Sequence, residues 1–314
     1  MDKSPGKSPG KSAKTITRRS FLQGLGGLLA SHWVLSGTLV GGTGIFVWAE
    51  HSTRILKKEF WDLSYPGLPS ALDGKRIVHL SDLHLEHLSI SSAYLQSQVN
   101  AQDPDLLVLT GDLISDRSDL DKVAQYLQPL KAKFGKYMVM GNNDYSHFSR
   151  ALFNRYLELL QGVGWVPLIN DAEHLKNLKL WIIGVDDPAT AHDNTDLAYA
   201  KLVNTDSAGP SFRLVLSHST DSLDDIAKYG AELFLTGHTH GGQIRLPGLR
   251  PQITNTYLGD KGIYEGYHVI RDIPLYINRG IGESGIPLRF NVTPEIAIFT
   301  LHRGQAEPVH VTRE

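Results

Sequence analysis

From Arg76 onward, short apolar runs of strand length alternate with segments whose apolar residues recur at helical spacing. The runs are Arg76 to Leu80, Leu106 to Thr110, Tyr137 to Met140, Leu180 to Val185, Leu214 to Ser217 and Leu233 to Thr236. Each is bounded by turn residues, which predicts strands. Between them Ser92 to Ala101, Leu120 to Leu127, Arg150 to Leu160 and Ser222 to Tyr229 predict helices. Alternation of this kind predicts an α/β core with parallel strands. Beyond Gly241 the helical signals fade. Runs at Gly262 to Ile270, Leu275 to Asn278 and Ile296 to Leu301 predict a second, more antiparallel sheet packed on the first. No internal repeat is visible.

The first fifty residues follow another pattern. Lys3, Lys7, Lys11, Lys14, Arg18 and Arg19 precede a stretch, Ser20 to Ala49, without Asp, Glu, Lys or Arg. A charged lead followed by an apolar segment is the pattern of an export signal or membrane anchor. Thr17-Arg18-Arg19-Ser20-Phe21-Leu22 resembles a twin-arginine signal, and seven glycines between Gly24 and Gly44 mute the hydrophobicity as such signals do. The segment exceeds the 7–15 residues of a typical signal core and reaches the roughly 20 that a spanning helix needs. Cleavage at Val47-Trp48-Ala49 and retention as a plain anchor both stay open. Under either reading the basic end stays in the cytoplasm and residues beyond 50 lie outside. The division expected is a twin-arginine-type signal or anchor at 1–49, a lead-in linker at 50–75 and one domain at 76–314. Trp33, Trp48, Trp61 and Tyr65 fit an interfacial belt, though Trp61 and Tyr65 fit a core equally well.

At 314 residues, with 41% hydrophobic and 20% charged positions, the chain suits one large globular domain with an appendage. The formal net charge of −2 hides an excess of five positive charges in residues 1–19, which leaves about −7 on the rest. A body of that sign disfavours nucleic acid as partner and favours a small or lipid-linked phosphate substrate. With no cysteine, any metal must be held by oxygen and imidazole nitrogen.

Five of the predicted strands end in blocks of such donors: Ser81-Asp82-Leu83-His84, Gly111-Asp112, Gly141-Asn142-Asn143-Asp144, Ser217-His218 and Gly237-His238-Thr239-His240. Singly, each has a structural explanation, such as a helix cap or a turn. Together they place seven donors at the carboxyl rim of one sheet, where strand ends converge on a crevice. In an extended Asp82-x-His84 both side chains point the same way and reach one ion. His238-x-His240 repeats the device unless a bend sends its imidazoles to different ions. Asp112, after a glycine that permits a tight turn, is the natural carboxylate bridge, and Asn142 adds a neutral oxygen.

These blocks, in this order, resemble the calcineurin-like metallophosphoesterases, whose motif runs D-x-H, GD, GNH with a following D or E, H, and GHxH. The match spans Asp82 to His240. Gly241-Gly242-Gln243-Ile244-Arg245, Arg279-Gly280-Ile281-Gly282, Pro287-Leu288-Arg289-Phe290 and Pro294-Glu295-Ile296 resemble a subgroup of exported or membrane-associated phosphodiesterases, some with twin-arginine signals. The resemblance implies an α/β fold, a four-layer αββα sandwich of two mixed β-sheets flanked by helices. It implies that Asp82, His84 and His240 hold one ion, that Asn142, His218 and His238 hold a second, and that Asp112 bridges them. In the family the histidine of the GNH block touches the phosphoryl group and helps protonate the leaving oxygen, oriented by its acidic neighbour. Here Asn143 stands in that place with Asp144 kept. An amide donates a hydrogen bond but delivers no proton, and a lost general acid typically costs about 10² to 10⁴ in rate.

The expected activity is hydrolysis of a phosphate ester or anhydride, as a phosphodiesterase outside the plasma membrane, with two divalent ions that are Mn, Fe or Zn. Asn143 favours leaving groups that need no acid, as in a diphosphate. A nucleotide-linked lipid such as UDP-2,3-diacylglucosamine is an alternative substrate, and a metal-stabilised envelope binding protein with little turnover is an alternative role. His79 falls within a strand, and His87 and His147 fall beside the metal blocks, with His147 a candidate for the missing acid. His174, His192, His268, His302 and His310 show no ligating spacing.

Overall fold

The structure, a computed structural model, describes residues 53–312 apart from 147, 204–210 and 252. The signal or anchor read at 1–49 and the candidate acid His147 lie outside the described residues. In chain order the strands are β1 (Lys57–Tyr65), β2 (Arg76–Leu80), β3 (Leu106–Thr110), β4 (Lys136–Val139), β5 (Trp165–Pro167), β6 (Asp171–Leu175), β7 (Leu180–Gly184), β8 (Phe212–Leu216), β9 (Leu233–Thr236), β10 (Gly266–Ile270), β11 (Ile273–Ile277), β12 (Glu295–Arg303) and β13 (Val309–Val311). The helices are α1 (Ser92–Asn100), α2 (Leu120–Leu127), α3 (Asn142–Tyr145), α4 (Arg150–Gly162), α5 (Thr195–Val203), α6 (Leu223–Tyr229) and α7 (Tyr257–Asp260).

Two mixed sheets result. The first runs β13-β1-β12-β2-β3-β4-β5 and the second β10-β11-β9-β8-β7-β6. Strands β2 to β5 are parallel, as are β7, β8, β9 and β11, with antiparallel neighbours towards the edges. Side chains alternate across each strand, so one strand feeds two cores. Val78, Leu80, Leu107 and Leu109 pack outward on Leu95 and Val99 of α1, Val123 and Leu127 of α2, and Tyr156 and Leu160 of α4. Their neighbours Ile77, Leu106 and Val108 face Leu180, Ile182, Leu214 and Leu235 of the second sheet. That sheet turns Trp181, Ile183, Val215 and Phe234 to Tyr199 of α5 and Ile226 of α6. The result is the four-layer αββα sandwich. Strands buried on both faces read as unbroken apolar runs, which is why these were visible in the sequence.

Two expectations are corrected. The C-terminal strands do not form a sheet of their own. β10 and β11 extend the second sheet, whereas β12 inserts into the middle of the first, where Ile298 lies opposite both Phe60 of β1 and Val78 of β2. Nor is 50–75 a linker throughout, because β1 is an integral strand of the first sheet. Its Glu59 and the buried Glu295 of β12 both pair with Arg279, which follows β11. This ion cluster ties the two sheets together, and breaking a buried pair costs about 3–5 kcal/mol because a charge is left uncompensated. Trp61 and Tyr65 pack against the inter-sheet core and are not a membrane belt.

Candidate metal centre

The two sheets present their strand ends to the same rim. Asp82 and His84 follow β2, Asp112 follows β3 and Asn142 follows β4. From the second sheet, His218 follows β8, and His238 and His240 follow β9. Five of these seven, Asp82, His84, Asp112, His238 and His240, sit at positive φ, between 41° and 69°. Non-glycine residues enter that region at a cost, and its concentration here marks a constrained site. The expectation of an extended Asp82-x-His84 therefore fails. The tripeptide curls, and its side chains still reach one point because the backbone is held from both flanks. Asp82 and His84 donate to the carbonyls of Gly111 and Asp112 at 3.1 Å each, and Ile281 and Gly282 donate back to Ser81 and Asp82 at 3.1 and 2.7 Å. Gly237 is obligatory in this packing, since a Cβ there would lie 1.9 Å from Ser81 Oγ and 2.3 Å from Asp82 Oδ2.

Two groups of donors form. Asp82, His84 and His240 gather within 4.8 Å of one another, as do Asp112, His218 and His238. The bend in Gly237-His238-Thr239-His240 splits its two imidazoles between them. Asp112 faces both groups, with Oδ2 3.5 Å from His84 Nε2 and 3.3 Å from His218 Nε2. Imidazole nitrogens meet face to face, His84 Nε2 with His240 Nε2 at 3.2 Å and His218 Nε2 with His238 Nδ1 at 2.9 Å. The outer nitrogen of His218 donates to the Thr110 carbonyl at 2.7 Å, and that of His84 meets Ser115 Oγ at 2.7 Å with Glu86 behind it at 3.6 Å. Such outer partners fix a ring so that its inner nitrogen offers a lone pair. Asp82 Oδ1 and Asn142 Oδ1 are buried without a hydrogen-bond partner, an expensive condition for polar atoms unless a cation takes them. The residues present thus fit a pair of divalent ions.

Electrostatics agree. Burial pushes the Asp112 carboxyl up, but the neighbouring His218, His84 and His238 outweigh it and hold it well below the usual carboxylate range. Burial disfavours a charged His218, yet Asp112 and Asp82 raise its pKa well above the ordinary value. His238 beside it is pushed down to about 4 by burial and by that same charge. The carboxylates draw positive charge to this point. His79, by contrast, is depressed to about 3 by burial alone and bonds Thr110 Oγ1 at 2.8 Å, a neutral core residue of β2.

Asn143 and Asp144 take up roles different from those expected. Asn143 donates from its backbone to Asp112 Oδ1 at 2.9 Å and from its side chain to Oδ2 at 2.6 Å, so it positions that carboxylate. Asp144 does not orient residue 143 through its side chain. Its carboxylate points into the core and accepts from the backbone N–H groups of Asp112, Leu113, Ile114 and Gly141 and from the Tyr156 hydroxyl, at 2.8 to 3.3 Å. It clamps the Gly111-Asp112 turn to the Gly141 turn.

The structure adds residues that spacing alone had not marked. Glu86 stands behind His84. Buried Arg289 reaches the Gly282 carbonyl at 2.5 Å and His240 Nδ1 at 3.3 Å, with Glu283 3.9 Å away. Asp187, fully buried just beyond β7, holds Thr190 through Oδ2, and its charge acts on His218 and His238. Its signal was present, since Asp186-Asp187 ends a strand run as the other blocks do.

Comparison with known proteins follows the same lines. The sequence profile described as calcineurin-like phosphoesterase matches residues 75–242. A Bacillus subtilis protein named as the uncharacterized metallophosphoesterase YkoQ is 34% identical over 235 residues, covering 73% of this chain and 84% of its own length. A second from the same organism, YkuE, is 31% identical over 298 residues, covering 92% and 98%. A Chlamydia muridarum protein named UDP-2,3-diacylglucosamine pyrophosphatase LpxG is 27% identical over 305 residues, covering 81% and 92%.

Proposed function

Because this chain belongs to the calcineurin-like phosphoesterase family, and so is a hydrolase that works with two divalent metals, we propose that it is a phosphodiesterase or diphosphate hydrolase acting outside the plasma membrane. Family membership and the intact donor set argue against the alternative of a binding protein with little turnover. The observation that carries the reading is the pair of buried Asp/His groups meeting at Asp112. In this reading Asp82, His84 and His240 hold one ion, Asn142, His218 and His238 the other, and Asp112 both. Bound there, the ions lower the pKa of a water, orient the phosphate and neutralise charge growing on its oxygens. The chain's own part is to fix the donors. Glu86, Ser115 and the Thr110 carbonyl set the rings, Asn143 holds the shared carboxylate, and Asp144 locks the two turns that carry it.

Asn143 shapes the substrate class. With an amide where an acid would stand, the leaving oxygen must depart unprotonated at that position, which favours a departing phosphate or phenolate over an alkoxide. A second reading, a lipid-linked diphosphate such as UDP-2,3-diacylglucosamine, is supported by the name of the Chlamydia relative and by the apolar N-terminal segment. The full chain, stripped of metal and reloaded with Mn, is expected to hydrolyse bis(p-nitrophenyl) phosphate and nucleoside diphosphate esters at least about tenfold faster than alkyl monoesters, by the leaving-group logic above. Alkyl monoesters as the best substrates would overturn this.

Location rests on the Arg18-Arg19 segment. Exchanging both arginines for lysine is expected to leave the protein in the cytoplasmic fraction. An unchanged extracytoplasmic distribution would remove the twin-arginine reading and leave a plain anchor.

A further inference from the structure

The two donor groups are backed by different parts of the chain. Asp112 is held through its backbone by Asp144, His218 through its outer nitrogen by the Thr110 carbonyl, and His238 by the backbone of Asn255. Asp82, His84 and His240 rest instead on residues 279–289, beyond the 75–242 that the family profile covers. Gly282 N–H donates to the Asp82 carbonyl at 2.7 Å, and Ile281 N–H to that of Ser81 at 3.1 Å. The strap leaves no space beneath it. A Cβ on Gly280 would lie 2.7 Å from Asp82 Cβ, and one on Gly282 would lie 2.0 Å from the Leu83 carbonyl oxygen and 3.2 Å from His84 Cβ.

Arg289 holds this strap in place. Its guanidinium bonds both ends, with Nη1 donating to the Arg279 carbonyl at 2.9 Å and Nη2 to the Gly282 carbonyl at 2.5 Å. Nη2 also lies 3.3 Å from His240 Nδ1. One planar fork thus braces the backbone behind Asp82 and His84 and the ring of the third donor, a geometry that an ammonium cannot copy. Its own position is fixed from the other side. Phe290 N–H donates to the Gln243 carbonyl and Arg245 N–H to that of Phe290, each at 2.9 Å, so Arg289 is tied to the chain just after His240. Arg289 is 0% exposed, and an arginine withdrawn from water needs partners for its donors and its charge. Glu283, equally buried and 3.9 Å from Nε, supplies the counter-charge.

We propose that Arg289 is the positioning residue for the ion held by Asp82, His84 and His240, and that the two ions are braced independently, so that this one is released while the other stays. The inference rests on the two-ion reading of the centre.

The test uses the full chain, stripped of metal and titrated with Mn(II) by calorimetry, with electron paramagnetic resonance on the same samples. Two manganese ions sharing a carboxylate give an exchange-coupled spectrum, and a lone ion gives its simple hyperfine pattern. In Arg289→Lys one ion is expected to bind within about twofold of the parent and the other at least about tenfold more weakly, since loss of an outer partner typically costs 10- to 100-fold. The spectrum should be uncoupled at a metal level that couples the parent. Added to Asp82→Ala, which removes a donor of the same ion, Arg289→Lys should change affinity by less than about twofold. Gly282→Ala, which keeps the buried Arg289–Glu283 pair and drives the strap off Leu83, is expected to show the same selective loss, and it decides the matter if Arg289→Lys does not fold. Two ions bound as tightly as in the parent, or both weakened alike, overturns the proposal. A parent that never takes up a second ion would instead sink the two-ion reading itself.

Discussion

Asp112→Ala is expected to abolish metal-dependent turnover, lowering kcat/KM by more than about 10³-fold on a soluble phosphodiester. Loss of a single preorganised donor to a transition state costs about 10² to 10³, and this substitution removes more than one donor. The Asp112 carboxylate lies within 3.5 Å of His84 Nε2 and 3.3 Å of His218 Nε2, so both groups lose the anion that faces them. Two further bonds, from Asn143 N–H and Nδ2, lose their acceptor at the same time. The fold should persist, because the turn is clamped through the Asp112 backbone to Asp144 and the cores lie elsewhere. Metal analysis and initial rates on the same preparation decide the matter. A variant that keeps two ions and at least a tenth of the activity would show that Asp112 does not bridge.

Asn143→His is expected to act in the opposite direction, and selectively. An imidazole can deliver a proton that an amide cannot, and a general acid contributes about 10² to 10⁴ when the leaving group is poor. The rate on an alkyl diester should therefore rise by at least about tenfold, short of the full factor because Asn143 now donates to Asp112 from its side chain, a contact histidine must rebuild. On p-nitrophenyl esters, whose leaving group needs little help, the same variant should stay within about threefold of the parent. Comparing rates across a series of leaving groups separates the two outcomes. A uniform fall across the series would mean that residue 143 serves only to position Asp112.

The parts of the fold legible in the sequence are those where a strand is buried on both faces. β2, β3, β7 and β9 appear as apolar runs because neither face meets water. Periodicity does not say which sheet a strand joins: it groups β12 with β10 and β11, whereas the partners of β12 are β1 and β2, more than two hundred residues away. β1 stays hidden because Lys57, Lys58, Glu59 and Asp62 make it read as polar, and the buried Glu59 is paired with Arg279, Lys57 and His310, two of them far away in sequence. At the metal centre, residue types and order were readable, since few core structures need Asp, Asn and His at five strand ends. The left-handed backbone at Asp82, His84 and Asp112 was not, because a non-glycine residue carries no local mark of a conformation imposed by its neighbours. The same holds for the inward turn of Asp144, which is decided by four backbone N–H groups from two separate turns.

The placement of β12 has a kinetic meaning. Lys57 is opposite Glu295, more than two hundred residues later, so the first sheet contains a gap until β12 has been made. Closing so long a loop comes late in folding. The Gly280–Gly282 segment that holds Asp82 from its far side arrives just before that strand. Ions would thus meet a finished donor set only once β12 has been inserted between β1 and β2.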